Sequence, residues 1–123
     1  GRLPLMITEN CLVQNETGCR LDRQGPCVPE DGPCRCGQPN VLVDRTGAAF
    51  PLLPAYGHRT EIQNSKPLYL ADRPEHRRLG LAYARLRFTT ETAEECVSVV
   101  QNYLDAAPAT GDFTRGLYER GVE

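Results

Sequence analysis

The spacing of apolar positions changes several times along the chain, and each change marks an element. Leu3 to Thr8 (LPLMIT) is a short apolar run that predicts a buried strand. From Glu9 to Pro39 the periodicity disappears and Gly, Pro, Asp, Asn and Cys take over, which predicts a long loop tied by local cross-links. Val41-Leu42-Val43, Asp44-Arg45-Thr46-Gly47 and Ala48-Ala49-Phe50 together read as a β-hairpin, with Gly47 at the left-handed position that closes the turn. Pro51 and Pro54 predict that the second strand is short or lies at a sheet edge. Arg59 to Asn64 (RTEIQN) is a weaker strand candidate.

The second half carries stronger patterns. Asp72 is placed to cap a short helix through Leu79, with Pro74 in its first turn and Gly80 ending it. Leu81 to Thr89 (LAYARLRFT) alternates: Ala82, Ala84, Leu86 and Phe88 share one face, and Tyr83, Arg85 and Arg87 share the other, which predicts a strand. Thr92-Ala93-Glu94-Glu95 is a capping box. The helix behind it places Ala93, Cys96, Val97, Val100 and Leu104 on one apolar face and ends by Pro108 and Gly111. The tail from Asp112 shows no core pattern, only the aromatics Phe113 and Tyr118. The expected fold class is α+β: a small mixed or antiparallel sheet of short strands, one amphipathic C-terminal helix and a long cysteine-rich loop. As a single domain it divides into the loop at 9–39, hairpin and sheet at 40–89, and helix and tail at 90–123.

Composition supports one domain and alters the picture at one point. The chain has 123 residues, 40% hydrophobic and 24% charged, an ordinary globular mix with eleven glycines and ten prolines for its many turns. A net charge of -2 gives no global pull toward nucleic acid or an anionic membrane. No apolar run is long enough for a membrane span, and no signal-peptide layout opens the chain. It begins at Gly1 without Met and is expected to be a processed or subcloned piece of a larger protein, with Gly1 a tag remnant.

The exception is cysteine. Of six, Cys11, Cys19, Cys27, Cys34 and Cys36 crowd the loop, while Cys96 stands apart on the apolar helix face and reads as a buried thiol. Three readings stand for the cluster: a metal or iron–sulfur site, disulfides, or free thiols. A chain able to build an ordinary core needs no staples, which tilts the reading to zinc or an iron–sulfur cluster in a reducing, cytoplasmic compartment. The spacings C-x7-C-x7-C-x6-C-x-C contain no C-x2-C pair. His58, in the Tyr56-Gly57-His58-Arg59 loop, is an exposed loop histidine or a further ligand to the cluster, while His76 reads as surface. Arg85 and Arg87, with Arg59, Arg73, Arg77 and Arg78, form a solvated face or a patch for an RNA backbone. No nucleophile–base set, H-E-x-x-H, P-loop or G-x-G-x-x-G occurs, so the chain carries no self-sufficient active site.

Several segments, taken in order, resemble the collagenase-like peptidase family U-thirty-two. They are Pro4-Leu5-Met6-Ile7-Thr8-Glu9-Asn10-Cys11, Gly18-Cys19, Val43-Asp44-Arg45-Thr46-Gly47 with Phe50-Pro51, and Arg59-Thr60-Glu61-Ile62-Gln63-Asn64-Ser65. Pro67-Leu68-Tyr69-Leu70, Arg85-Leu86-Arg87-Phe88-Thr89, Phe113-Thr114-Arg115-Gly116 and Arg120-Gly121-Val122-Glu123 complete the set. The resemblance implies a region C-terminal to the family's catalytic barrel, and so a non-catalytic accessory domain whose partner is the upstream barrel of the same parent. Relatives of that kind resemble oxygen-independent hydroxylases of RNA or ubiquinone precursors that hold iron–sulfur clusters through cysteines. The implied ligands here are Cys11, Cys19, Cys36 and His58, the last standing where the family pattern has Cys, which favours zinc in a Cys3His set. Cys27 and Cys34 fall in an insertion and are alternates. The competing class is a disulfide-stapled extracellular binding or structural module.

Overall fold

A computed structural model describes residues 1–17 and 38–119, and the fold is α+β, as the patterning predicts. Its elements are β1 (Arg2–Thr8), α1 (Leu12–Thr17), β2 (Asn40–Val43), β3 (Ala49–Ala55), β4 (Arg59–Pro67), α2 (Glu75–Arg78) and α3 (Ala93–Asp105). The strands form one small antiparallel sheet in the order β1-β4-β3-β2. The chain divides into two compact units, Pro4–Ser65 and Gly1–Leu3 with Lys66–Glu123.

In the first unit the predicted hairpin forms where Asp44 sits at the start of the turn. Its carboxylate accepts from the Thr46 amide (2.7 Å), the Thr46 hydroxyl (2.7 Å) and the Ala48 amide (3.0 Å), so one short side chain satisfies three donors that the strands leave behind. Those bonds, led by the Thr46 hydroxyl, hold the Asp44 carboxyl below its usual pKa. Gly47 closes the turn at φ 84°, a conformation that an L side chain adopts only with strain. Leu52 and Ile62 face each other across β3 and β4 and are buried, with Thr60 and Gln63 buried beside them.

The prolines do not push β3 to an edge: it is an inner strand of seven residues. Antiparallel pairing explains why. Backbone groups along β3 point alternately to its two neighbours. The missing N–H of Pro51 points toward β4, where the register has stopped at Leu52↔Ile62, and that of Pro54 points toward β2, where it has stopped at Asn40↔Leu52. Each proline sits just past the end of the ladder it would have broken.

β1 exists but is not buried. It is an outer strand whose Leu5, Met6 and Ile7 are all more than half exposed.

The second unit is organised around the tail. Thr114 forms a parallel bridge with Leu68, its N–H donating to Pro67 O (2.9 Å) while its carbonyl accepts from the Tyr69 N–H (3.1 Å). Gly116, at φ 59°, lies so close to Leu3 and Leu68 that a Cβ would come within 3.1 and 3.4 Å of their methyl carbons, so both backbone and space demand glycine. Tyr69 packs at a tilt against Tyr103 (5.8 Å between centroids) and Phe113 (6.1 Å). Its hydroxyl donates to Ala107 O (2.8 Å), and the Leu70 N–H donates to the Tyr103 hydroxyl (3.0 Å).

This unit departs from the patterning in three places. Asp72 does not cap α2, whose N-cap is Pro74 without a side-chain bond; Asp72 pairs with Arg115 instead. Residues 81–89 form no strand: they pair with no described strand, and Ala82 and Ala84, like Tyr83 and Arg85, are exposed. α3 has the predicted capping box, with Glu95 N–H donating to Thr92 Oγ1 and Thr92 N–H donating to the Glu95 carboxylate, yet none of its residues is buried. Val97 is 71% and Leu104 67% exposed, and Cys96 is half-buried rather than enclosed.

Candidate functional site

The chemistry-bearing residues that the structure brings together lie at one end of the sheet, where β1 finishes and β4 begins. The Thr60 N–H donates to Thr8 Oγ1 (3.3 Å). The Leu12 N–H, one of the amides that the first turn of α1 leaves unpaired, donates to Thr60 Oγ1 (3.0 Å). Arg59 donates from Nη2 to the Glu9 carboxylate at 2.9 Å. These three links join residues 8–12 to residues 59–60, fifty positions on.

Cys11 lies inside the first of these segments and His58 directly precedes the second. Cys11 is buried and carries a free thiol. His58 is half-buried in the three-residue turn between β3 and β4, with Gly57 at φ 72° and His58 itself at φ 57°. A left-handed backbone costs a non-glycine residue about 1–2 kcal/mol, so the turn holds the His58 backbone in a conformation it would not choose alone.

A buried thiol and a half-buried imidazole at the same end of a sheet are soft and borderline donors of the kind zinc takes. Cys19, Cys27, Cys34 and Cys36 lie outside the described residues. Among the described residues no group of three or more His, Cys, Asp or Glu side chains could hold a metal ion. Cys96 belongs to the other unit, on α3.

The arginines are dispersed in role. Arg59 is paired with Glu9, and Arg73 is paired with Glu119. Arg85 and Arg87 are exposed on the irregular segment before α3, with the exposed Tyr83 two residues ahead of Arg85.

A further polar cluster lies in the second unit, and no local pattern pairs its residues with one another. Arg115 makes a two-pronged pair with Asp72, Nη1 to Oδ1 at 2.7 Å and Nη2 to Oδ2 at 2.8 Å, and also donates to the Tyr69 carbonyl (2.7 Å). Its guanidinium lies 4.7 Å from the Phe113 ring centroid. The Arg115 hydrogen bonds hold the Asp72 carboxyl below its usual pKa, while burial, followed by the charge of Asp72, raises that of Tyr69. With three hydrogen bonds from Arg115 to protein acceptors, the cluster reads as a fastening for the tail. In the sequence its members stand out only separately, Asp72 as a helix cap and Phe113 and Arg115 in the Phe113-Thr114-Arg115-Gly116 segment.

None of the helices among the described residues is long and apolar enough to cross a membrane. Comparison of the chain with protein-family models, curated proteins and solved structures finds no match.

Proposed function

We propose that this chain is a non-catalytic accessory domain of a protein of the collagenase-like peptidase U-thirty-two type, built around a cysteine-based metal site that orders the 9–39 loop. The observation that carries this reading is the stitching of residues 8–12 to residues 59–60, which sets Cys11 and His58 at the same end of the sheet. Cys19 and Cys36 complete the ligand set, with Cys27 and Cys34 as alternates. Zinc suits three thiolates and an imidazole, and an iron–sulfur cluster is the other occupant of such a set. The metal's chemistry here is structural: it replaces the hydrophobic core that a Gly- and Pro-rich loop lacks. The domain's partner is the upstream barrel of its parent, in the reducing cytoplasm where thiolates persist. The exposed pair Arg85 and Arg87 would contact the phosphates of an RNA-sized substrate.

Competitive zinc titration tests the site. Cys11→Ser and His58→Ala should each weaken zinc by more than about tenfold, since even residues that only orient ligands are worth 10–100-fold. Cys96→Ser should leave affinity unchanged. Equal affinities for wild type, Cys11→Ser and His58→Ala would remove both residues from the ligand set.

The RNA contact has its own test by fluorescence anisotropy with a single-stranded oligonucleotide. Arg85→Ala/Arg87→Ala should weaken binding and reduce the slope of log K against log salt by about 1.4 for two lost contacts. An unchanged slope would exclude both arginines.

A further inference from the structure

β2 is an outer strand that pairs with β3 alone among the described strands. Asp44 N–H donates to Ala48 O (3.0 Å), which fixes Asp44↔Ala48 as a hydrogen-bonded position of the hairpin. By alternation Asn40 and Leu42 also turn their backbone groups toward β3, and Val41 and Val43 turn theirs outward. The side chains on this edge are apolar and open: Val41 is 57%, Leu42 45% and Val43 58% exposed. No charge or proline interrupts the four residues. The opposite outer strand, β1, is also apolar, but it contains Pro4, which has no N–H to donate, and the charge of Arg2, two of the devices that blunt an edge. β2 has neither.

We infer that β2 pairs antiparallel with β2 of a second copy of this chain, about a two-fold axis at Leu42, joining two four-stranded sheets into one. The strand is complementary to itself in that register. Val41 of each copy meets Val43 of the other, so all the outward backbone groups of those two residues find partners, giving four N–H···O=C bonds across the axis. Leu42 meets Leu42 at the closely spaced, non-hydrogen-bonded position, where side chains make their best contact. Asn40 meets Asp44, an amide against a carboxylate, and no like charges oppose one another. Sliding one strand by two residues spoils the match in either direction. It sets Val43 against Pro39, which lacks an N–H, or Val41 against Arg45, which belongs to the turn beyond the strand. Such two-fold pairing of one patch with itself is the usual geometry of homodimers.

Sedimentation velocity of the 123-residue chain over a range of concentrations tests this. The wild type should dimerise. Leu42→Lys and Leu42→Glu should each weaken the dimer by about fivefold or more, because each places like charges face to face on the axis. An equimolar mixture of the two variants should recover dimers, now with Lys opposite Glu, and that recovery also shows that both variants fold. Met6→Lys on β1 should have no effect. A wild type that stays monomeric, a dimer indifferent to the charge at position 42, variants that do not recover on mixing, or a dimer lost through Met6→Lys would each overturn the inference.

Discussion

Leu52→Ala should cost the first unit about 3 kcal/mol, the largest stability loss expected from any single truncation in this chain. Leu52 and Ile62 are register partners on the two inner strands and are among the few large apolar side chains that the structure buries. Removing three carbons there takes away the buried side chain opposite Ile62 and leaves a cavity in its place. Ile62→Val, which removes one methylene, should cost about 1 kcal/mol. Val97→Ala on α3 serves as the comparison: its side chain is largely exposed, and the change should stay within about 0.5 kcal/mol. Urea unfolding followed by circular dichroism reads all three. A Leu52→Ala variant no less stable than Val97→Ala would show that the core does not sit where β3 meets β4.

The second large effect concerns the fastening of the tail. Arg115→Ala should lower the thermal midpoint of the second unit by about 5 °C or more, and Arg115→Lys should recover little of it, because an ammonium cannot make the two-pronged contact. Arg115 holds Asp72, the Tyr69 carbonyl and the face of Phe113 together, so its loss should exceed that of Asp72→Asn.

The pH dependence has a definite sign. Asp72 titrates lower in the folded chain than when unfolded, so its contribution is complete above the unfolded value of about 3.9 and disappears as pH falls through the lower, folded value. Wild type and Asp72→Asn should therefore differ in midpoint at pH 6 and converge in strong acid. A constant difference across that range would mean that the Asp72 carboxylate charge plays no part.

Features set by neighbours in sequence were legible in advance. The hairpin could be read because Asp44 and Gly47 determine a turn within four residues, and the start of α3 because Thr92 and Glu95 satisfy each other's donors within one turn. Features that need a distant partner were harder to read. Residues 81–89 have an alternating pattern, but alternation states which faces a strand would have and not which strand would lie beside it. The inner position of β3 is not legible because two prolines argue against an inner strand unless the ends of both neighbouring ladders are known. Asp72 resembles a helix cap locally, and only the fold brings Arg115, 43 residues later, within reach. At the candidate site, cysteine chemistry singles out Cys11 and His58, yet the links that bring their segments together run through Thr8, Thr60, Glu9 and Arg59, and nothing in their local sequence says that they pair across fifty positions.

The claim that the cysteine loop is a ligand site is tested most directly by measuring metal content and reactive thiols together, on protein purified without oxygen. The account predicts about one zinc per chain, or several irons with sulfide, and few reactive thiols until a chelator releases them. Protein without metal, whose loop thiols appear only after reduction, would contradict it and would make the loop a disulfide framework.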